Sequence, residues 1–181
     1  DEFSSFARLP KPVFRLEDPM ELTRQALFLQ EVARPDLHFE FESEGDVRDI
    51  ACDRHQFGQA MTNVLKNAVE AIEAKAKDEG EGYIGKITVR LEAQPLSVIL
   101  RITDNGIGLP LDRDRIIEPY VTTREKGTGL GLAIVNKIVE EHGGEMNFMP
   151  AQGGGTTVSL RFATDPLARG RSSELAEQVT G

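Results

Sequence analysis

The sequence predicts a two-layer α/β sandwich, a mixed sheet covered by helices on one face, and three observations predict it. Strand-like and helix-like periodicities are interleaved, yet several strands are joined by short turns rather than by helices. The strongest helical stripe, Phe57, Met61, Val64, Leu65, Ala68 and Ile72, is apolar on one side only, as a helix laid on a sheet must be. The chain has 181 residues and one cysteine, so a single core must hold it by burial rather than by disulfides.

The elements follow in order. Asp1 to Pro12 reads as the end of a helix and a stiff linker, because Pro10-Lys11-Pro12 interrupts any helix. A short strand, Val13 to Leu16, comes next. Asp18 caps a helix that Pro19 opens and Pro35 stops, with Leu22, Ala26, Leu29 and Val32 as its apolar stripe. Leu37 to Glu42 alternates as a half-buried strand does, and Gly45-Asp46 turns the chain into a second strand, Val47 to Cys52. Asp53 caps a long helix to about Ala76, followed by a polar loop from Lys77 to Gly85. Strands Lys86 to Glu92 and Ser97 to Asp104 meet at the turn Gln94-Pro95. Asn105 to Thr128 keeps no period and is too long for an ordinary connection, which reads as a functional lid or a disordered segment. A helix from Leu130 to His142 ends at Gly143-Gly144, and a hairpin pairs Glu145–Met149 with Thr156–Phe162 across Gly153-Gly154-Gly155. The chain thus divides into residues 1–12, a folded domain at 13–164 and a polar tail at 165–181.

Composition narrows the function. With 21 Lys+Arg against 30 Asp+Glu the net charge is −9, which argues against a nucleic-acid partner, since phosphates call for a basic face. The lone Cys52 leaves no thiolate cluster for zinc, and the apolar run from Leu130 to Val135 is too short to span a bilayer. No signal peptide opens the sequence, so the expected setting is cytoplasmic.

Four stretches carry chemistry. On the long helix Asn63, Asn67 and Glu70 are spaced i, i+4 and i+7, so they share a stripe beside the apolar face. Carboxamide and carboxylate oxygens on one stripe suit a hard cation such as Mg²⁺, although a solvated polar face has the same pattern. Asp104-Asn105-Gly106-Ile107-Gly108 follows an apolar strand; a strand-end carboxylate can accept from an exocyclic amine, and the two glycines allow a flat ligand close to the backbone. A plain Asp-Asn-Gly turn would look the same. Lys126-Gly127-Thr128-Gly129-Leu130-Gly131-Leu132 runs into a helix, whose N-terminal amides favour anions, or else is a glycine hinge. It is neither a P-loop nor a dinucleotide fingerprint, because the spacing fits neither. Gly153-Gly154-Gly155-Thr156 is the simplest of the four to read as a hairpin turn.

Together, in this order, the four resemble the N, G1, G2 and G3 boxes of the histidine-kinase ATP-binding domain, a branch of the Bergerat-fold ATPases. Ile117-Glu118-Pro119-Tyr120-Val121-Thr122-Thr123-Arg124 resembles the F box of its lid, with Ile117 and Val121 where that family often has phenylalanine. The opening residues Asp1 to Pro12 resemble the end of the dimerisation helix of NtrY-type nitrogen-regulation sensor kinases. The resemblance spans roughly Arg15 to Phe162. It implies a mixed, mostly antiparallel five-stranded sheet with helices on one face and a long ATP lid.

The resemblance also implies roles, residue by residue. Asn67 would ligate Mg²⁺, with Asn63 supporting metal and phosphates, and Asn63, Asn67 and Lys126 would form the catalytic set. Asp104 would receive the adenine amino group in a pocket shaped by Gly106 and Gly108. Lys66, Thr123, Lys126, Gly127, Thr128, Gly129, Leu130 and Gly131 would contact the nucleotide, chiefly its phosphates. Thr156 and Thr157 would lie behind the adenine and assist Asp104 through water. ATP is a polyanion and the chain carries −9, so Mg²⁺, Lys126, Arg124 or Lys66, and the loop amides must outweigh the global field.

Hydrolytic members of that superfamily carry a glutamate where this chain has Asn63, and an amide is a poor general base, so rapid ATP hydrolysis is not expected. A neutral imidazole needs less activation. His38, His55 and His142 lack an acceptor-box context, so each reads as structural or solvated and the acceptor belongs to an upstream domain. The expected function is the catalytic domain of a two-component sensor histidine kinase, a monomer as a fragment and part of a homodimeric parent, whose anchoring in the inner membrane is implied by the NtrY resemblance alone. It would bind ATP and ADP and feed a response regulator. Two other readings stay open: a non-catalytic nucleotide-binding or docking module, and a serine-directed kinase of the anti-sigma-factor type.

Overall fold

The structure is a computed structural model and describes residues 9–108 and 131–168. In chain order its elements are β1 (Arg15–Glu17), α1 (Pro19–Ala33), β2 (His38–Glu44), β3 (Ile50–Cys52), α2 (Arg54–Glu79), β4 (Lys86–Ala93), β5 (Ser97–Asp104), α3 (Gly131–Glu141), β6 (Met146–Pro150) and β7 (Thr156–Ala163). The expected architecture is present. Five strands form one sheet in the order β2-β4-β5-β7-β6, with β2 parallel to β4 and every other pairing antiparallel. The short strands β1 and β3 pair separately as an antiparallel two-stranded ribbon.

Alternation in the strands decides which face is covered. Ile87, Val89 and Leu91 of β4, Leu100 and Ile102 of β5, and Val158, Leu160 and Phe162 of β7 are buried beneath the helices. The opposite face is polar, and Arg90 pairs there with Glu42 and Glu44 of the neighbouring β2 and with Glu92 two residues along its own strand. The stripe of α2 is as the sequence predicts: Phe57, Met61, Val64, Leu65, Ala68 and Ile72 are all buried. Both helix caps are present, with Asp18 accepting from Met20 and Asp53 accepting from His55 and Gln56. No helix among the described residues is long and apolar enough to cross a membrane.

Some expectations are corrected. The stripe of α1 is rotated: Leu22 and Ala26 are buried as expected, but Thr23 and Leu27 complete the face, while Leu29 and Val32 are 65% and 66% exposed. Helix α1 lies against α2, and the Thr23 hydroxyl donates to the Pro19 carbonyl at 2.6 Å, which offsets the penalty of burying it. β1 begins at Arg15 rather than Val13, and β3 at Ile50 rather than Val47. Helix α2 continues one turn beyond Ala76, since Lys77, Asp78 and Glu79 extend it at little cost until Gly80, at φ +85°, ends it. The lid from 109 to 128, the helix end at 1–8 and the tail beyond 168 lie outside the described residues.

Candidate functional site

Helix α2 is the spine on which the motifs assemble. Asn63, Asn67 and Glu70 are half-buried on one side of it, and Ala71 continues the same row at i+8 from Asn63. At one end of that row, the Asn63 side-chain amide donates to the carbonyl of Gly131, the first residue of α3, at 3.2 Å. At the other end, the amide of Ile107 donates to the Ala71 carbonyl at 3.1 Å. Gly106 lies so close that a Cβ there would come within 2.5 to 2.7 Å of the backbone and Cβ of Ala71. Two turns of helix, a rise of about 12 Å, therefore separate the contact with the β5 loop from the contact with α3, and Asn67 stands midway between them.

Asp104 ends β5 and is 6% exposed. Its Oδ1 accepts from the Gly106 amide at 2.8 Å, which sets the turn of the loop. Register places Asp104 opposite Thr156, which is 7% exposed, so both side chains are on the covered face of the sheet. The adjoining Gly155 has φ +96°, and a Cβ on it would be 1.9 Å from the Asp104 carbonyl oxygen. Gly108, at φ +87°, packs beside the Gly155 carbonyl. The glycine turn that the sequence leaves as a simple hairpin is thus pressed against the strand-end aspartate because only a residue without a side chain fits.

Thr157 does not share this position. Successive strand residues face opposite ways, and its hydroxyl meets that of Thr103 at 2.9 Å on the open face of the sheet. The expectation that it assists Asp104 is withdrawn. Lys66 is exposed and stands about 100° around α2 from Asn67. Thr123, Lys126, Gly127, Thr128, Gly129 and Leu130 lie outside the described residues.

Sequence reasoning missed the bracing of the loop. Asn105 accepts from the Lys86 amide at 2.8 Å and donates to the Ile84 carbonyl at 3.0 Å, while the Tyr83 hydroxyl donates to the Asn105 carbonyl. An asparagine after a strand is a turn signal, but only tertiary contact reveals a brace reaching about twenty residues back.

The three histidines occupy the expected kinds of place. His38 is exposed beside Glu40 at 3.0 Å, and His55 is exposed in the first turn of α2. His142 is fully buried: its Nδ1 lies 2.7 Å from the Ile138 carbonyl, and its Nε2 accepts from the Asp53 amide at 3.1 Å. Accepting at Nε2 requires the neutral ring with its proton on Nδ1. Burial holds this imidazole below its ordinary pKa, against smaller opposing effects from the Ile138 carbonyl, Asp53 and Glu141.

This geometry has counterparts. Residues 52–166, more than half of the chain, match the family described as histidine kinase-, DNA gyrase B-, and HSP90-like ATPases. Nitrogen regulation protein NtrY of Azorhizobium caulinodans is 50% identical over 169 residues, covering 91% of this chain and 21% of that protein. The chain therefore corresponds to about a fifth of the length of that relative. Among solved structures, the nucleotide-free catalytic domain of histidine kinase ThkA superposes with a TM-score of 0.70 at 29% identity, covering 85% of this chain and 99% of that one. Full-length ShkA in complex with AMPPNP gives 0.75 at 26% identity, covering 90% of this chain and 35% of that one. A spine of two asparagines, a strand-end aspartate locked to a glycine turn, and these matches agree: the chain belongs to the histidine kinase-, DNA gyrase B- and HSP90-like ATPase family, as a catalytic ATP-binding domain of the sensor histidine kinase kind.

Proposed function

We propose that this domain binds Mg-ATP along α2 and transfers the γ-phosphoryl group to a histidine of an upstream domain, for relay to a response regulator in nitrogen control. The observation that carries the reading is the row Asn63, Asn67, Ala71, which meets the start of α3 at one end and the Asp104 loop at the other. Adenine at the Asp104 end would offer its amino group to a buried carboxylate. The triphosphate would then run toward Asn63 and the first turn of α3, where helix N-terminal amides favour anions.

The donor set fits Mg²⁺. No cluster of three His, Cys, Asp or Glu that could hold a metal exists among the described residues, and Mg²⁺ accepts one or two protein oxygens when substrate phosphates and water complete its shell. Asn67 would supply the carboxamide oxygen. A Mg²⁺ ion held there would supply charge neutralisation for the substrate's phosphates. Asn63, engaged with Gly131, fixes the distance between α3 and the spine and offers no base for water, so the domain retains its ATP for transfer. Attack by the acceptor imidazole nitrogen forms the N–P bond as the bond to the β,γ-bridging oxygen breaks, and ADP leaves. Domain and acceptor act together in the cytoplasm, in a dimeric parent.

Calorimetric titration with ATP, in Mg²⁺ and in chelator, tests the site: binding should weaken by about tenfold or more without the metal, and equal affinity would remove Asn67 from its role. Mixing the domain with the upstream histidine domain and labelled ATP tests the reaction. Phosphohistidine supports the kinase reading; nucleotide binding with no transfer supports a binding module instead.

A further inference from the structure

We infer that His142 is a positioning residue for the nucleotide site: it fixes the register of α3 along α2 from the far end of both helices, and Asp53 ties the chain segment 9–14 into the same clamp. The inference rests on the nucleotide reading above. Helices α2 and α3 are antiparallel, since the start of α2 meets the end of α3 at Asp53 and His142, and Asn63 meets the start of α3 at Gly131. The two hydrogen bonds are ten residues apart on α2 and eleven apart on α3, rises of about 15 and 16 Å. They are matched rungs of one ladder, so slippage at either rung displaces the other.

The lower rung is rigid. The His142 ring is fixed through Nδ1 to Ile138 and through Nε2 to the Asp53 amide. Phe14 and Phe162 meet it edge-on, with centroids at 5.2 and 5.5 Å. Asp53 is saturated too. One carboxylate oxygen caps α2 through His55 and Gln56, and the other accepts from the Val13 amide at 2.9 Å. One turn on, the buried Gln56 side chain donates to the Pro10 carbonyl at 2.8 Å. Pro10, Val13 and Phe14 are thereby fastened to the residues that set where α3 begins relative to Asn63 and Asn67. Displacing this segment would pull on the clamp, and the clamp on the nucleotide.

Reciprocity makes this testable: if the segment and the clamp alter nucleotide affinity, nucleotide must alter the segment and the clamp by the same factor. The experiment titrates Mg-ATP into the wild-type chain and the variants His142→Leu, His142→Gln and Val13→Pro, each held below its own melting temperature. It also follows amide hydrogen exchange of Val13 and Asp53 in the wild type with and without Mg-ATP. The expected result is slower exchange at both amides with nucleotide, and affinity lowered about fivefold or more by His142→Leu and by Val13→Pro, which removes one surface N–H. His142→Gln, whose side-chain oxygen can replace Nε2 as acceptor, should recover most of the loss. Exchange at Val13 and Asp53 indifferent to bound nucleotide, or affinity unchanged in folded Val13→Pro, would overturn the coupling while leaving the nucleotide site intact. Absence of nucleotide binding by the wild type would overturn the proposed function itself, and this inference with it.

Discussion

The side-chain amide of Asn63 lies 3.2 Å from the carbonyl oxygen of Gly131, and this hydrogen bond joins the middle of α2 to the first turn of α3. A residue read from sequence as a metal or phosphate ligand is therefore also the fastener between two motifs. Asn63→Ala should cost about 1 kcal/mol of stability and lower nucleotide affinity, because the start of α3 loses its tether. Thermal melts and calorimetric titration on the same preparation separate the two effects; unchanged affinity would reduce Asn63 to a structural role.

Asp104→Asn keeps the side-chain oxygen that Gly106 needs, so the loop should hold. What changes is the second oxygen, replaced by a donor where the proposed site would place the adenine amine. A mispaired buried group costs about 1–3 kcal/mol, so ATP affinity should fall by about tenfold or more while the melting temperature moves little. Wild-type affinity in this variant would place the purine elsewhere.

Two glycines should be intolerant and two forgiving. At Gly106 a methyl would collide with Ala71, and at Gly155 with the Asp104 carbonyl, with strain added by φ +96° at Gly155. Alanine at either should destabilise by about 1–3 kcal/mol and weaken nucleotide binding. A methyl added at Gly153 or Gly154 would find nothing within 4 Å, so alanine there meets only the backbone cost of positive φ. Denaturant unfolding of the four variants should rank them in those two pairs.

Acidification should loosen the clamp between α2 and α3. The native imidazole of His142 has a pKa below its ordinary 6.5. Between the native value and 6.5 the unfolded chain binds more protons, so stability rises with pH and is lost as pH falls below about 6.5. His142→Gln should remove that part of the slope, as read from melts across about pH 5 to 8. A wild type and variant with parallel pH profiles would show that the ring titrates normally. At lower pH a second loss is expected from Asp53: burial alone would raise its carboxyl, but the amides of Val13, Gln56 and His55 hold it below 3.8, and protonation ends that contribution.

What sequence alone determined is local and periodic. The caps at Asp18 and Asp53, the buried stripe of α2, the alternation of β4, β5 and β7, and the glycine stop after α3 are all set by neighbours within a few residues. Each could therefore be read without coordinates. The identities of Asn63, Asn67 and Asp104 as polar residues at special points were legible for the same reason. Tertiary structure alone decided which side of α1 was covered and which motifs met. The stripe of α1 turned away from Leu29 and Val32 because the face it lays on the core runs through Leu22, Thr23, Ala26 and Leu27, a choice made by distant packing. Thr157 left the site because the register with β5 paired it with Thr103. Gly155 joined the site because the chain brings it against a carbonyl about fifty residues earlier, and His142 became a clamp because the end of α3 meets the start of α2. Local pattern sets what each segment can be; long-range packing sets which segments touch, and chemistry needs both.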